Sequence, residues 1–461
     1  MEPTVEITKT IAELKQRFGQ RVSTAPAVLE QHGKDWTWNP GHNPNAVVFP
    51  ESTEEVVEIV QVCGRYGAPI IAFGAGTSVE GHFAAVHGGV TLDLTRMNRI
   101  LAVHQADFDA TMQAGVTREQ LNRHLHDTGL FFPIDPGADA TLGGMAATRA
   151  SGNNAVRYGT MREAVLGLTV VLADGRVVRT ARRARKSSSG YDLTRLFVGS
   201  EGTLGVSTEV TVRLHPRPET IIAGVASFPD ITKAVNTVVE TIQAGVPIAR
   251  IELLDEVLMD AVNKFSKLAY AVAPTLFLEI HGSPGGAAEQ AQTLASIAKD
   301  NGSPDFRWSA DEAERTRMWQ GRRDVPWASL ALRPGSKMLT TDVCVPMSRL
   351  ADCIAETKAD LATSNILATL VGHVGDGNFH LGLMIDPENR VEVENAEAFS
   401  DRLVRRALDM DGTCTGEHGI GLGKMRYMVP EHGEAVTVMR QIKQALDPAN
   451  LMNPGKMLPQ Q

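Results

Sequence analysis

The stretch VGHVGDGNFHLGLM, residues 371–384, places two histidines symmetrically around an Asp-Gly pair. Read as a hairpin closed by a two-residue type I′ turn at Asp376-Gly377, it sets Gly375 against Asn378, Val374 against Phe379 and His373 against His380. Directly opposed residues share one face, with Cβ atoms roughly 5 Å apart. Two imidazoles so placed could hold one metal ion. Two solvated or core histidines would give the same pattern, and with 13 histidines in the chain a chance pair is easy to find. On these residues alone both readings stay open.

The elements that must position such a pair come from a chain of 461 residues, 43% of them apolar. That exceeds the size at which one core keeps growing, so two or three domains are expected. A formal charge of −9 argues against a general affinity for nucleic acid or anionic lipid. The basic run RTARRARK (179–186) reads as a solvated loop after a strand. Cys63, Cys344, Cys353 and Cys414 form no C-x-x-C pair, which favours a reducing compartment and excludes an iron–sulfur cluster of ordinary spacing. The N-terminal MEPTVEITKTIAELKQRFG lacks a signal-peptide pattern, and no apolar run reaches the roughly 18 residues of a membrane span. The expectation is a cytoplasmic protein without a transmembrane segment, peripheral to a membrane at most.

Along the chain, Ser52 and Glu55 open a helix over TEEVVEIVQVCGRYG that stops at Gly67, followed by the strand PIIAF. GGVTLDL, RILAVH and ATMQAG read as strands, TREQLNRHLHDTG as a helix between Thr117 and Gly129, and VLGLTVVLADGRVVRT as a hairpin. From about residue 220 the texture changes to strands (TIIAGVASF, RIELLD, TLFLEIHG, MLTTDVCVP) separated by amphipathic helices, an antiparallel α+β pattern.

Three small-residue clusters stand out in the first half. GAGTSVEG (74–81) mimics the dinucleotide fingerprint G-x-G-x-x-G, but its third glycine position is Val79 and no helix of suitable periodicity follows, so a Rossmann site and NAD(P) are not expected. The loop still offers consecutive N–H groups and the hydroxyls of Thr77 and Ser78, which suit a pyrophosphate. Together with the clusters at 136–159 and 199–205 it points to a large, flat ligand lying against the backbone.

PIIAFGAGTSVEGH, PGADATLGGMAATRASGNNAVRYGTMREAVLGLTVVLADG, GSEGTLGVSTEVTVRLHP, GHVGDGNFH, GEHGIGLGK and NPGKM, in this order, resemble the FAD-linked oxidases of the vanillyl-alcohol-oxidase/PCMH class over nearly the whole chain. Within that class RPGSKMLTTDVCVPMSRL is most similar to cytochrome-type D-lactate dehydrogenases. The glycolate oxidase flavin subunit and D-2-hydroxyglutarate dehydrogenases are further relatives. The resemblance implies an α+β architecture: a two-subdomain PCMH-type FAD-binding domain over 1–217, a cap or substrate domain with an antiparallel sheet over 218–424, and a segment over 425–461 that returns to the FAD domain. It assigns Gly74, Ala75, Gly76, Thr77 and Ser78 to the pyrophosphate, and Gly137, Thr141, Leu142, Gly143 and Gly144 to the flavin, with Ser151 and Gly152 beside it. Glu201 to Val206 take the adenine and ribose side, and Asn453 of NPGKM completes the set. FAD is expected to be non-covalent, since Thr77-Ser78 stand where some members carry histidine.

The same resemblance makes His373 and His380 metal ligands, joined by Glu417 of GEHGIG. Two imidazoles and a carboxylate suit Zn²⁺, Mn²⁺ or Fe²⁺. His418 becomes the proton acceptor and Arg322 of WQGRRDVPW the two-pronged partner of a substrate carboxylate. Relatives acting on 2-hydroxyglutarate carry a lysine where this chain has Thr340, which favours a monocarboxylate such as D-lactate, with Lys337 nearby as the competing feature. An Asn two residues after the second metal histidine in some relatives is Gly382 here. The implied activity is oxidation of a small D-2-hydroxy acid, with electrons leaving to a cytochrome, a quinone or electron-transfer flavoprotein. The resemblance also leaves room for a homodimer and for work within a complex.

Overall fold

The computed structural model describes residues 6–37, 39 and 41–459. The described residues divide into two compact units, one within 6–151, 159–217 and 417–459 and the other of residues 152–158 and 218–416.

In the first unit, helix Thr53–Tyr66 shows how the sequence dictates its elements. The Ser52 side chain accepts the Glu55 N–H, Val56, Ile59, Val60 and Cys63 are buried, and Gly67 ends the helix in the left-handed conformation at φ 66°. Full burial of each large apolar side chain is worth about 1.5–3 kcal/mol. The stripe packs onto a four-stranded sheet in the order Val22–Ser23, Ala46–Val48, Val90–Asp93, Ile70–Phe73, whose last three strands run parallel. A second, antiparallel sheet has the order Ile100–His104, Asp109–Gln113, Val206–Arg213, Val165–Val171, Val177–Arg179. The loop after Ile70–Phe73 runs to Gly89 without a helix, so the dinucleotide fold excluded on sequence grounds is absent there.

The second unit is an antiparallel sheet in the order Phe306–Ser309, Thr220–Ser227, Thr275–Gly282, Ile248–Leu254, Ala368–Gly372, Asn378–Ile385, Lys337–Thr340, with Val343–Cys344 also paired to Asn378–Ile385. Helices Glu256–Ser266, Glu312–Arg323 and Val325–Ala331 share a buried cluster with it, including Val225, Leu254, Phe277, Trp319 and Val325. Helix and strand types agree with an α+β architecture.

Two boundaries differ from the expected ones. The chain rejoins the first unit at Glu417 rather than at 425, because Ile420 and Gly421 N–H groups bond the Glu201 carboxylate and Leu422 N–H bonds the Glu80 carbonyl. Residues 152–158 also belong to the second unit. Asn154 accepts Arg250 Nε at 2.7 Å, Arg157 donates to the carbonyls of Pro247 and His281, and Tyr158 Oη lies 2.8 Å from His281 Nδ1. Among the described residues no helix is long and apolar enough to cross a membrane.

Candidate active site and metal centre

The histidine hairpin forms, but with a different turn. Val371 pairs with His380, so the register is displaced by two residues and His373 lies diagonal to His380 rather than opposite it. A type I′ turn needs two consecutive residues at positive φ; here Gly377 has φ 77° and Asp376 does not, and residues Val374–Asp376 form a 3₁₀ turn instead. A displacement by two preserves the side-chain alternation. Both imidazoles therefore stay on one face, with ring centroids 5.5 Å apart.

One side-chain atom each from His373, His380 and Glu417 lie within 4.8 Å of one another. Glu417 follows Gly416 by one peptide bond, and the Gly416 N–H is fixed to Asp342 Oδ2 at 2.9 Å. Each imidazole is oriented from behind. His373 Nδ1 lies 2.6 Å from Glu252 Oε1, and His380 Nδ1 lies 3.2 Å from the Thr341 carbonyl and 3.4 Å from Asp342 Oδ1. Acceptors on both Nδ1 atoms place the proton there and leave Nε2 as the ligating atom, the arrangement metal-bound histidines use. The donor set and its backing fit a divalent transition-metal ion.

Glu252 and Asp342 are the residues that sequence reading missed. Glu252 is fully buried on strand Ile248–Leu254, and its other oxygen accepts Arg322 Nε at 2.8 Å. Burial pushes its carboxyl up, but His373 and Arg322 outweigh that and hold it below the ordinary value. Asp342 also accepts from Asn378 Nδ2 and Thr415 Oγ1. Arg322 reaches Glu252 because helix Glu312–Arg323, capped by Asp311, aligns Trp319 and Arg322 at i and i+3. The Arg250 guanidinium lies 5.2 Å from the Trp319 ring, and a Cβ on Gly321 would fall 3.0 Å from Val262 Cγ1, so the helix sits tightly on its neighbours. One side chain of Arg322 spends Nε on Glu252 and keeps its terminal nitrogens for a carboxylate.

His418 belongs to the first unit, with Nδ1 3.7 Å from Glu80 Oε1 and Nε2 4.0 Å from Glu417 Oε1. Lys424 Nζ lies 3.3 Å from the same Glu80 oxygen. Beneath this loop the buried Glu201 carboxylate takes the Ile420 and Gly421 N–H groups and faces His82 Nε2 at 3.4 Å. Burial raises that carboxyl, and His82 with the two N–H groups more than offsets it, giving a net lowering. Glu201 thus spends its side chain on the loop after His418. Asn453, also placed with the cofactor on sequence grounds, donates to the carbonyls of His82 and Glu201 and accepts Lys456 Nζ. Burial brings the Lys456 amine down to about 7.

The glycine clusters of the first unit meet. A Cβ on Gly74 would fall 2.2 Å from Thr141 Oγ1, and one on Gly143 would fall 2.5 Å from Ala114 Cβ. Thr141 caps helix Leu142–Thr148 through Gly144 N–H, while Leu142 and Val206 are core residues. Gly137 has no neighbour within 4 Å of a Cβ position, and Ser151 is half-buried where the chain leaves the first unit at Gly152. Gly74, Ala75 and Gly76 line an open cavity of about 690 Å³; Thr77 and Ser78 follow, half-buried, in the same loop. Two acids on its wall are already engaged: Asp35 by Thr37, Asn39 and the Gly81 N–H, Asp93 by His32 and Thr95. A glycine backbone facing a roomy cavity fits the phosphates of a dinucleotide cofactor.

A family model described as the C-terminal domain of FAD linked oxidases matches residues 217–457, and a model of an FAD binding domain matches residues 44–181. The chain is 53% identical over 460 residues to a protein of Danio rerio named probable D-lactate dehydrogenase, mitochondrial, covering 99% of this chain and 93% of that one. It is 46% identical over 417 residues to a protein of Arabidopsis thaliana named D-lactate dehydrogenase (cytochrome), mitochondrial, covering 90% and 74%. Among solved structures, p-cresol methylhydroxylase with substrate bound superposes with a TM-score of 0.75 at 17% identity, covering 97% of this chain and 96% of that one. That last likeness is one of fold. Glycine loops, sheet topology and matched segments converge, and the chain belongs to the FAD-linked oxidases of the vanillyl-alcohol-oxidase/PCMH class.

Proposed function

We propose that this chain is an FAD- and divalent-metal-dependent dehydrogenase of small D-2-hydroxy acids, with D-lactate the favoured substrate and the 2-oxo acid the product. The observation that carries the reading is Glu252, one buried carboxylate that holds both a candidate ligand imidazole and the Arg322 guanidinium. The two relatives reported above carry the name D-lactate dehydrogenase, which supports the D configuration.

FAD, when bound, accepts the two electrons and the Cα hydrogen of the alcohol, and the metal, when bound, lowers the pKa of the hydroxyl. His373, His380 and Glu417 would hold the metal, and the loop at Gly74 to Ser78 with Gly137 and Thr141 to Gly144 would hold FAD. Arg322 binds the substrate carboxylate through its terminal nitrogens, which fixes the acid end and leaves the hydroxyl facing the ligand cluster. His418 takes the hydroxyl proton, a task for which a neutral imidazole is suited near pH 7. Lys337 begins strand Lys337–Thr340 and is exposed. Thr340 stands where relatives acting on 2-hydroxyglutarate carry a lysine, which supports a monocarboxylate. Electrons leave to a cytochrome, a quinone or electron-transfer flavoprotein.

The test is an anaerobic titration of the FAD-loaded protein with D-lactate, L-lactate, glycolate and D-2-hydroxyglutarate, before and after chelation. Bleaching of the flavin by D-lactate, abolished by chelator and restored by Mn²⁺ or Zn²⁺, is the expected result. Undiminished bleaching after exhaustive metal removal would sink the metal-dependent mechanism.

A further inference from the structure

We infer that Glu252 couples metal binding to substrate-carboxylate binding, so that each strengthens the other; this rests on the function proposed above. Contacts on both sides of the reaction converge on this single rigid group. The carboxylate is planar, fully buried and saturated along two directions, 2.6 Å to His373 Nδ1 and 2.8 Å to Arg322 Nε. Its strand is an interior member of the sheet, pairing with Thr275–Gly282 on one side and with Ala368–Gly372, the strand that leads into His373, on the other. Backbone movement is therefore restricted, and the two partners compete or cooperate only through the carboxylate plane and its charge.

The direction of the coupling follows from that charge. A cation on His373 Nε2 makes Nδ1–H a stronger donor and draws the carboxylate toward the imidazole. A substrate carboxylate on the terminal nitrogens of Arg322 lessens the pull of the guanidinium on Oε2 and releases the carboxylate in the same sense. Each event eases the other, and linkage makes the effect reciprocal. Asp342 provides an internal contrast. It backs His380 and fixes Asn378, Thr415 and the Gly416 N–H beside Glu417, all of them on the metal side.

Glu252→Gln breaks the device for a definable reason. Glutamine has one acceptor oxygen where Glu252 uses two. With its NH₂ toward His373 it imposes the tautomer that carries the proton on Nε2; with its NH₂ toward Arg322 it sets donor against donor. Mn²⁺ and Zn²⁺ binding to the FAD-loaded protein, measured by equilibrium dialysis, and KM and kcat for D-lactate at saturating metal read the two sides separately. Glu252→Gln is expected to weaken metal binding about 10–100-fold and to keep a KM raised by about tenfold or more when metal is saturating. Asp342→Asn is expected to weaken metal binding while its KM returns to the wild-type value at saturating metal. Arg322→Lys, which keeps the charge but loses the Nε contact and so releases the carboxylate toward His373, is expected to tighten metal binding several-fold although it touches no ligand.

Recovery of the wild-type KM by Glu252→Gln at saturating metal, or wild-type metal affinity in Arg322→Lys, overturns the coupling while leaving the metal site standing. Absence of metal binding in the wild-type protein overturns the site and the coupling together. If Glu252→Gln fails to fold, the Arg322→Lys affinity decides the matter alone.

Discussion

The first unit gathers its small-residue clusters as backbone, and the second holds its paired histidines as side chains backed by other side chains. At Gly74 and Gly143 the decisive feature is the missing Cβ, whose place lies 2.2 Å from Thr141 Oγ1 and 2.5 Å from Ala114 Cβ. At His373 and His380 the decisive features are Glu252 and Asp342, buried carboxylates that stand far from them in sequence. A backbone site is written in one run of small residues. A backed imidazole is assembled from three or four runs, and none of them announces the others.

The same difference appears inside the second unit. Glu252 and Asp255 lie three residues apart and are both buried, yet their carboxyls move in opposite directions. Burial raises both. For Glu252 two cationic or protonated partners reverse the shift. Asp255 has only the Leu258 and Leu370 contacts and Lys358 at 3.8 Å against it, and burial pushes it up to about 6. Buried carboxylates are therefore told apart by their partners rather than by their depth.

The contrast can be broken most severely at the metal side. His380→Ala is expected to abolish metal binding and flavin reduction by D-lactate while FAD stays bound, as read by metal analysis and the visible spectrum of the same sample. Retention of the metal would remove His380 from the ligand set. At the backbone side, Gly143→Ala is expected to cost about 2–3 kcal/mol by forcing the helix away from Ala114. Chemical denaturation of the protein with and without FAD checks it. An equal loss in both forms identifies Gly143 as a packing glycine, and a loss confined to the FAD-bound form returns it to the cofactor.

The smallest effect concerns Asp255. A carboxyl raised in the fold stabilises it fully below its unfolded value of about 4 and loses that contribution as pH climbs through about 6. Asp255→Asn keeps the helix cap on Leu258 and removes the buried charge. Thermal melts should show a gain of about 1–2 kcal/mol at pH 8 that disappears below pH 4. A loss at pH 8 would mean that the Lys358 contact dominates, and the contrast with Glu252 would fall.

Much of this protein could be read from its residues. Helix Thr53–Tyr66 with its caps and the hairpin at Asp174-Gly175 follow from local spacing, which elementary periodicity and turn chemistry decode. The histidine pair was legible because a strand's two-residue alternation survives a register error of two. The turn itself was not, since both an Asp376-Gly377 tight turn and a 3₁₀ turn closed at Gly377 suit the same residues, and the observed one comes with a long-range bond from Val345 N–H to the Gly377 carbonyl.

What only the tertiary structure decided is which acids matter. Glu252 in RIELLD, Asp342 in LTTDVCVP and Glu201 in GSEGT look alike as letters: carboxylates in ordinary strands and loops. Their roles are set by long-range pairing, because a carboxylate becomes a support for an imidazole, a guanidinium or a backbone amide only when the sheet delivers that partner within about 3 Å. Local sequence fixes which residues can share a face, and the fold fixes what each of them meets there.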